Sequence, residues 1–189
     1  WQMFDRIAHR YDLLNRLLSM GTDVRWRKRM ARHLPQANAL KVLDIATGTA
    51  DVLLSLQREC PRIASGIGAD MSLGMLLHGQ EKLRAASLTP QFTLVRTDAT
   101  CLSIAAESFD ATTIAFGIRN VLSVDAALRE MHRVLRPQGK TLILEFSLPG
   151  NRLIRHGYLF YFRHILPKLG ALISGDSYAY KYLNQTVET

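Results

Sequence analysis

The stretch Lys41-Val42-Leu43-Asp44-Ile45-Ala46-Thr47-Gly48-Thr49-Ala50-Asp51 decides how the rest of the chain is read. Residues 42–45 read as a short buried strand. Gly48 and Ala50 turn the chain, and Asp51 opens the helically periodic segment 52–57. A strand, a tight turn of small residues and a helix N-terminus bring backbone N–H groups and a positive dipole end to one point. That arrangement suits a nucleoside cofactor at the carboxyl edge of a parallel sheet.

The frame Gly48-Thr49-Ala50-Asp51-Val52-Leu53 keeps only the first of the three glycines in a dinucleotide fingerprint. Ala50 puts a methyl group where a pyrophosphate would approach the backbone, and Leu53 is bulky where helix and strand would pack closely. A nicotinamide or flavin cofactor is therefore poorly supported, and a smaller cofactor without phosphates fits better. The turn resembles motif I of the class I S-adenosylmethionine-dependent methyltransferases, Val-Leu-Asp-x-x-x-Gly-x-(Gly/Ala).

At 189 residues, with 48% hydrophobic and 21% charged residues, the chain has the composition and length of one globular domain. The formal net charge of +8 favours anionic surfaces such as nucleic acid, acidic lipid or an anionic substrate, without choosing among them. The two cysteines, Cys60 and Cys101, lack a C-x-x-C spacing, so neither a disulfide framework nor a zinc site is suggested, and no metal is expected. That usage is compatible with the cytoplasm. No secretory signal and no run of 18 apolar residues is evident. The chain starts at Trp1 rather than Met, so something is expected to be missing at its start.

Beyond the opening motif the pattern alternates. Phe4, Ile7, Ala8, Tyr11, Leu14 and Leu18 share one stripe at helical spacing; Ser19–Asp23 breaks it, and Trp26, Met30 and Leu34 resume it up to Pro35. These two helices, residues 1–34, either cover the cofactor crevice as a lid or close the edge of the domain. Helix is then expected over 53–60 and from Ser72 through Leu83. Strands are expected over 64–70, 91–96, 109–116 and 141–146. Val124, Leu128, Met131 and Leu135 mark a further helix, stopped by Pro137-Gln138-Gly139. Strands joined by helical crossovers imply an α/β fold, with a parallel central sheet and helices on both faces.

Ligands of such sheets lie outside the carboxyl ends of the strands. Gly48 and Thr49 follow the first strand. Asp70 ends the second, where a carboxylate accepts both ribose hydroxyls. Asp98-Ala99 follows the third, where the acid suits an adenine amine. The fourth leads into Ala115-Phe116-Gly117-Ile118-Arg119-Asn120. Arg119 stays charged at any working pH and is suited to a phenolate or enolate oxygen, whose charge raises the nucleophilicity of the adjacent ring carbon.

Several further motifs resemble the ubiquinone/menaquinone biosynthesis C-methyltransferases. They are Met3-Phe4-Asp5-Arg6-Ile7-Ala8, Tyr11-Asp12-x-x-Asn15, Leu18-Ser19-x-Gly21, Trp26-Arg27, Ala69-Asp70-Met71-Ser72, Phe116-Gly117-Ile118-Arg119-Asn120, Leu144-Glu145-Phe146-Ser147 and Leu166-Pro167. The resemblance implies a Rossmann-like class I methyltransferase in which residues 1–34 are a helical lid, 41–147 the cofactor-binding core and 151–183 a segment facing substrate or membrane. It implies S-adenosylmethionine as cofactor, contacted by Gly48, Thr49, Asp70, Met71, Asp98, Ala99 and Ala115. It implies methyl transfer to a ring carbon of a prenylated quinol, demethylmenaquinol favoured, with Arg119, Asn120 and Tyr11 at the acceptor. The sequence departs from the pattern at Thr47 and Ala50, where glycine is usual or frequent, and at Ala115, where a serine hydroxyl is common. The resemblance also implies a final strand hairpin beyond the position of Thr189.

The implied step begins with loss of a hydroquinone proton to a base or water; Arg119 then holds the oxyanion while the ring carbon attacks the methyl. A polyprenyl tail calls for a membrane or a greasy channel. Leu153, Ile154, Tyr158, Leu159, Phe162 and Ile165 are candidates to line it, with Arg152, Arg155 and Arg163 toward anionic lipid; a covering helix packed on the sheet is the alternative. The expected partners are thus the quinol, a membrane contact at the inner face, and a second copy or other quinone-biosynthesis proteins. Nucleic acid is not expected, because the Asn/Asp-Pro-Pro-aromatic element of base amino-methyltransferases is absent. A small-molecule O- or N-methyltransferase and a non-catalytic cofactor-binding subunit stay open.

Overall fold

The computed structural model describes residues 12–13, 15–16, 19, 21–147 and 150–161, the side chains at 153, 154, 158 and 159 excepted. Five strands form one sheet: β1 (Leu40–Ile45), β2 (Ile63–Asp70), β3 (Phe92–Arg96), β4 (Phe109–Ala115) and β5 (Leu135–Leu144). All neighbours run parallel in the order β3-β2-β1-β4-β5, so successive strands step outward from β1 in one direction and then reverse. A crevice opens at that reversal, between the carboxyl ends of β1 and β4.

Alternation along β1 builds two cores. Val42 faces Leu53 and Leu56 of helix α2 (Asp51–Glu59), together with Met30 of α1 (Thr22–Ala31) and Leu83 of α3 (Leu73–Ala85). Leu43 and Ile45 face the opposite layer, with Met131 and Val134 of α4 (Val124–Val134) and Leu102 from a loop. Both faces of β1 are therefore covered, as expected of a buried strand. Ser72 caps α3 by accepting from the Met75 N–H at 3.2 Å, and Ser123 caps α4 by accepting from Ala126 N–H at 3.3 Å.

The sequence reading needs correction around Pro137. The expected turn at Pro137-Gln138-Gly139 does not separate α4 from its strand. The helix ends at Val134, Leu135 already pairs with Phe109, and the ladder resumes at Lys140 opposite Ala111. The intervening residues form an irregularity with Gln138 at φ 67°. A side chain at Gly139 would meet the Arg136 carbonyl oxygen at 2.9 Å. The strand ends at Leu144, before Glu145 and Phe146, so those two residues emerge at the carboxyl edge. A last helix, α5, covers Arg152–Phe160. Of the first expected helix only Asp12, Leu13, Asn15 and Arg16 are described; Phe4, Ile7, Ala8, Tyr11, Leu14 and Leu18 lie outside the described residues.

Candidate active site

The crevice is a cavity of about 260 Å³ lined by Ile45, Ala46, Gly48, Ala69, Asp70, Met71, Met75, Thr97, Asp98, Ala99, Gly117, Asn120, Val121 and Leu122. It gathers Gly48, Asp70, Met71, Asp98, Ala99 and Asn120 from the ends of four strands. Gly48 and Ala50 both take left-handed backbone conformations, φ 55° and 64°. Thr47 does not, which is why this turn tolerates threonine there. The Gly48 N–H donates to Asp70 Oδ2 at 2.8 Å, and the Ser72 N–H donates to Asp70 Oδ1 at 2.8 Å. Asp98 Oδ1 accepts from the Thr100 N–H and hydroxyl at 2.8 and 2.7 Å. Asp98 Oδ1 thus takes two donors, which leaves Oδ2 as the acceptor toward an amine in the cavity, and Asp70 borders the same cavity.

The turn also shows how it manages without two glycines. Ala50 is fully buried, and its methyl group lies 3.3 Å from where a Cβ on Gly79 would sit. The close helix approach is thus made by α3 through Gly79, while Leu53 of α2 is buried in the core. Nothing in that arrangement accommodates a pyrophosphate over Ala50. A cofactor carrying a ribose and a base but no phosphate fits the acids present.

Thr49 and Ala115 are placed differently from Gly48. They line a smaller recess with Asp12, Asn15, Arg27, Asp51 and Phe116, which meets the main cavity at Ala46 and Gly48. The Thr49 hydroxyl donates to Asp12 Oδ1 at 2.5 Å and accepts from Lys82 Nζ at 3.1 Å. Lys82 also donates to Asp12 Oδ2 at 2.7 Å and to Asp51 Oδ1. Arg27 donates to Asp23 Oδ2 at 2.8 Å and to Asp51 Oδ2 at 3.2 Å. The hydroxyl of Thr49, a residue expected to contact the cofactor, thus belongs to an ionic ladder tying the N-terminal segment to the turn. Beneath lies Asp44, fully buried. Thr113 and Thr47 hydroxyls each donate to it at 2.6 Å. Burial pushes its carboxyl up to about 7, against the opposing pull of those hydroxyls and of the Arg27 charge.

Arg119 lies on a single 3-10 turn, Ile118–Asn120, just past β4. Asn120 lines the cavity, but Arg119 does not. Its Nη1 donates to Glu145 Oε1 at 2.6 Å, and its guanidinium lies 5.3 Å from the Phe146 ring centroid. Phe146 in turn stacks on Phe116 at 4.4 Å and meets the edge of Trp26 at 5.9 Å. Tyr11 lies outside the described residues, as do Phe162, Arg163, Ile165 and the side chains of Leu153, Ile154, Tyr158 and Leu159. Sequence reasoning assigned no role to Asp12, Arg27, Lys82 or Glu145. Asp12, Arg27 and Glu145 fall inside the motifs quoted above, whereas Lys82 lies within the helix expected from Ser72 through Leu83 with no motif to single it out.

A match to the model of the ubiE/COQ5 methyltransferase family extends over residues 1–189. The chain belongs to this family. It is 51% identical to the ubiquinone/menaquinone biosynthesis C-methyltransferase UbiE of Syntrophotalea carbinolica over 98% of this chain and 77% of that one. It is 44% identical to the demethylmenaquinone methyltransferase of Thermus thermophilus over 98% of this chain and 83% of that one. Among solved structures, a putative S-adenosyl-L-methionine-dependent methyltransferase from Methanococcus maripaludis superposes with a TM-score of 0.68 at 17% identity, covering 96% of this chain and 82% of the other. The [4+2]-cyclase SpnF does so with a TM-score of 0.68 at 21% identity, covering 79% and 60%. That pair shows the fold alone, and it shows how little the fold fixes the chemistry. As a ubiE/COQ5 family member, the chain is an S-adenosylmethionine-dependent methyltransferase with the class I Rossmann-like fold. Its cavity, bordered by the carboxylates of Asp70 and Asp98, agrees with that cofactor.

Proposed function

We propose that this enzyme methylates a ring carbon of a prenylated quinol in quinone biosynthesis, with demethylmenaquinol as the favoured acceptor. The observation that carries the proposal is the near-full-length identity to relatives named for that reaction, combined with a cation and an amide at the end of β4 beside the cavity. S-adenosylmethionine, when bound, supplies an electrophilic methyl on a sulfonium. The chain's own residues do the rest. Asp70 receives the ribose hydroxyls while bracing the turn through Gly48. Asp98 and Ala99 receive the adenine edge, Met71 packs against it, and Thr49 and Ala115 border the amino-acid end. Arg119, with Asn120 and Tyr11, holds the acceptor's oxygen as it becomes anionic, which is electrostatic stabilisation by a fixed charge. Residues 1–34 act as the lid over this edge. Residues 151–183 face the prenyl tail and the inner face of the membrane.

The experiment is turnover with labelled cofactor and a short-chain demethylmenaquinol, set against the corresponding benzoquinol precursor. Arg119→Ala is expected to lower turnover by about 10²-fold or more, with calorimetric cofactor affinity unchanged. An Arg119→Ala enzyme at full speed removes the oxyanion role. An enzyme inactive on both acceptors removes the acceptor assignment.

A further inference from the structure

Rather than taking part only in an ion pair, we propose that Glu145 is the general base of the reaction, removing the quinol hydroxyl proton that Arg119 then replaces as the oxygen's partner. The inference deepens the preceding proposal and rests on its placing of the acceptor's oxygen at Arg119. It starts from an anomaly. Among the described residues, Arg119 Nε and Glu145 Oε2 are both buried and have no hydrogen-bond partner. Buried polar groups are nearly always satisfied, and leaving one unpaired costs about 1–3 kcal/mol. Here an orphan donor and an orphan acceptor belong to one ion pair, each two bonds from the atoms that meet at 2.6 Å.

A phenolic hydroxyl has the complementary chemistry. Its O–H donates, as Glu145 Oε2 requires, and its oxygen lone pairs accept, as an arginine N–H requires. Of the other acids near the crevice, Asp98 faces the main cavity with Oδ1 engaged by Thr100, on the side away from Arg119's ion pair with Glu145, and the rest have donors on both oxygens. Asp44 takes a threonine hydroxyl on each oxygen, and Asp70 takes a backbone N–H on each. Asp12 and Asp51 are held by Lys82, with Thr49 and Arg27 on their second oxygens. Glu145 Oε2 is the only carboxylate oxygen among the described residues that is buried and unpaired. The other oxygen, Oε1, is fixed by Arg119 and by the Phe146 N–H at 2.9 Å, and Phe146 underlies the guanidinium. The carboxylate is thereby oriented before any substrate arrives, which is what a base needs.

The charges balance at every step. The hydroxyl proton passes to Glu145 Oε2, and its electron pair stays on the ring oxygen. Arg119 loses an anionic partner in Glu145 and gains one in that oxygen, so the guanidinium is never left uncompensated. The ring carbon's electron pair then forms the bond to the methyl, and the carbon–sulfur pair goes to sulfur. The ring C–H proton leaves to water, restoring aromaticity, and Glu145 returns its proton to the oxygen. No oxidant or reductant is required.

The test uses the whole enzyme with labelled S-adenosylmethionine and a short-chain demethylmenaquinol. Glu145→Gln keeps the size and an acceptor for Arg119 but takes no proton. It is expected to lose about 10²-fold or more in kcat, to bind cofactor as the wild type does by calorimetry, and to lose the acidic limb of the wild-type pH–rate profile. Glu145→Asp is expected to keep that limb at reduced rate, and it carries the test should the glutamine variant fail to fold. A chlorinated naphthohydroquinone, whose hydroxyl is more acidic, is expected to narrow the gap between Glu145→Gln and wild type. Turnover of Glu145→Gln within threefold of wild type, or a pH profile unchanged by either substitution, overturns the base assignment while leaving the acceptor reading intact. A wild-type enzyme that methylates no quinol overturns the acceptor reading and this assignment with it.

Discussion

Asp44 carries the clearest consequence at the scale of one residue. Its carboxyl titrates near 7 in the folded chain, chiefly because burial disfavours its charge, against 3.8 for an unperturbed aspartate. The folded state therefore binds a proton through a window in which the unfolded chain has already released it. Stability from that proton is full below about pH 4 and is lost as the pH rises to about 7, an effect on the order of 4 kcal/mol. Urea unfolding from pH 4.5 to 8 is expected to show the wild type losing stability relative to Asp44→Asn as pH rises. Parallel profiles for the two proteins would show that burial does not raise this carboxyl. Thr47 gains a reason here as well. It stands where the resemblance led one to expect glycine, and its hydroxyl serves the buried acid.

At the scale of elements, Lys82 is the joint between three of them. From α3 it reaches Asp12 in the N-terminal segment, Asp51 at the start of α2 and the Thr49 hydroxyl in the turn. Removing it leaves two partly buried carboxylates facing each other with less compensation, Arg27 alone remaining on Asp51. Lys82→Met is expected to cost about 2 kcal/mol in denaturant unfolding. Adding Asp12→Asn is expected to recover part of that loss, since it withdraws one of the stranded charges. A Lys82→Met protein as stable as wild type would reduce the ladder to ornament. Such joints were not legible in the sequence because their members lie 31 and 70 residues apart and meet only once the layers are stacked. Asp70 and Asp98 were legible because a strand end is a local pattern and the parallel sheet carries every strand end to one edge. The Arg119–Glu145 contact is intermediate. Both residues sat in recognisable motifs, but their meeting depends on β4 and β5 pairing side by side and on the irregularity at Pro137-Gln138-Gly139, which sequence patterning took for a stop.

For the whole molecule, the sign of its charge matters more than its detail. The chain carries a formal +8, and Arg152 and Arg155 on α5 are exposed. No helix among the described residues is long and apolar enough to cross a membrane, so contact with a lipid-borne substrate through this region is peripheral on our proposal. Arg152→Glu with Arg155→Glu is expected to weaken sedimentation with anionic vesicles by about 30-fold or more, each reversal removing a surface attraction of about 1 kcal/mol, with no change on neutral vesicles. Equal binding to both vesicle types before and after reversal would assign the basic surface elsewhere. The strand order was readable in advance as a class and not as an order. Alternating strand and helix signals imply a parallel sheet, whereas the reversal at β1 is a fact of how crossovers return.

The bracing of Gly48 and Ser72 by the two oxygens of Asp70 has one more implication. On our proposal that Asp70 receives the donor's sugar, the saddle is stiffened by the same carboxylate that greets it, so its cost in chain freedom is met when the domain folds rather than when the donor lands. Spent donor can then slip away without that saddle relaxing, and the pace of exchange passes to whatever roofs the crevice.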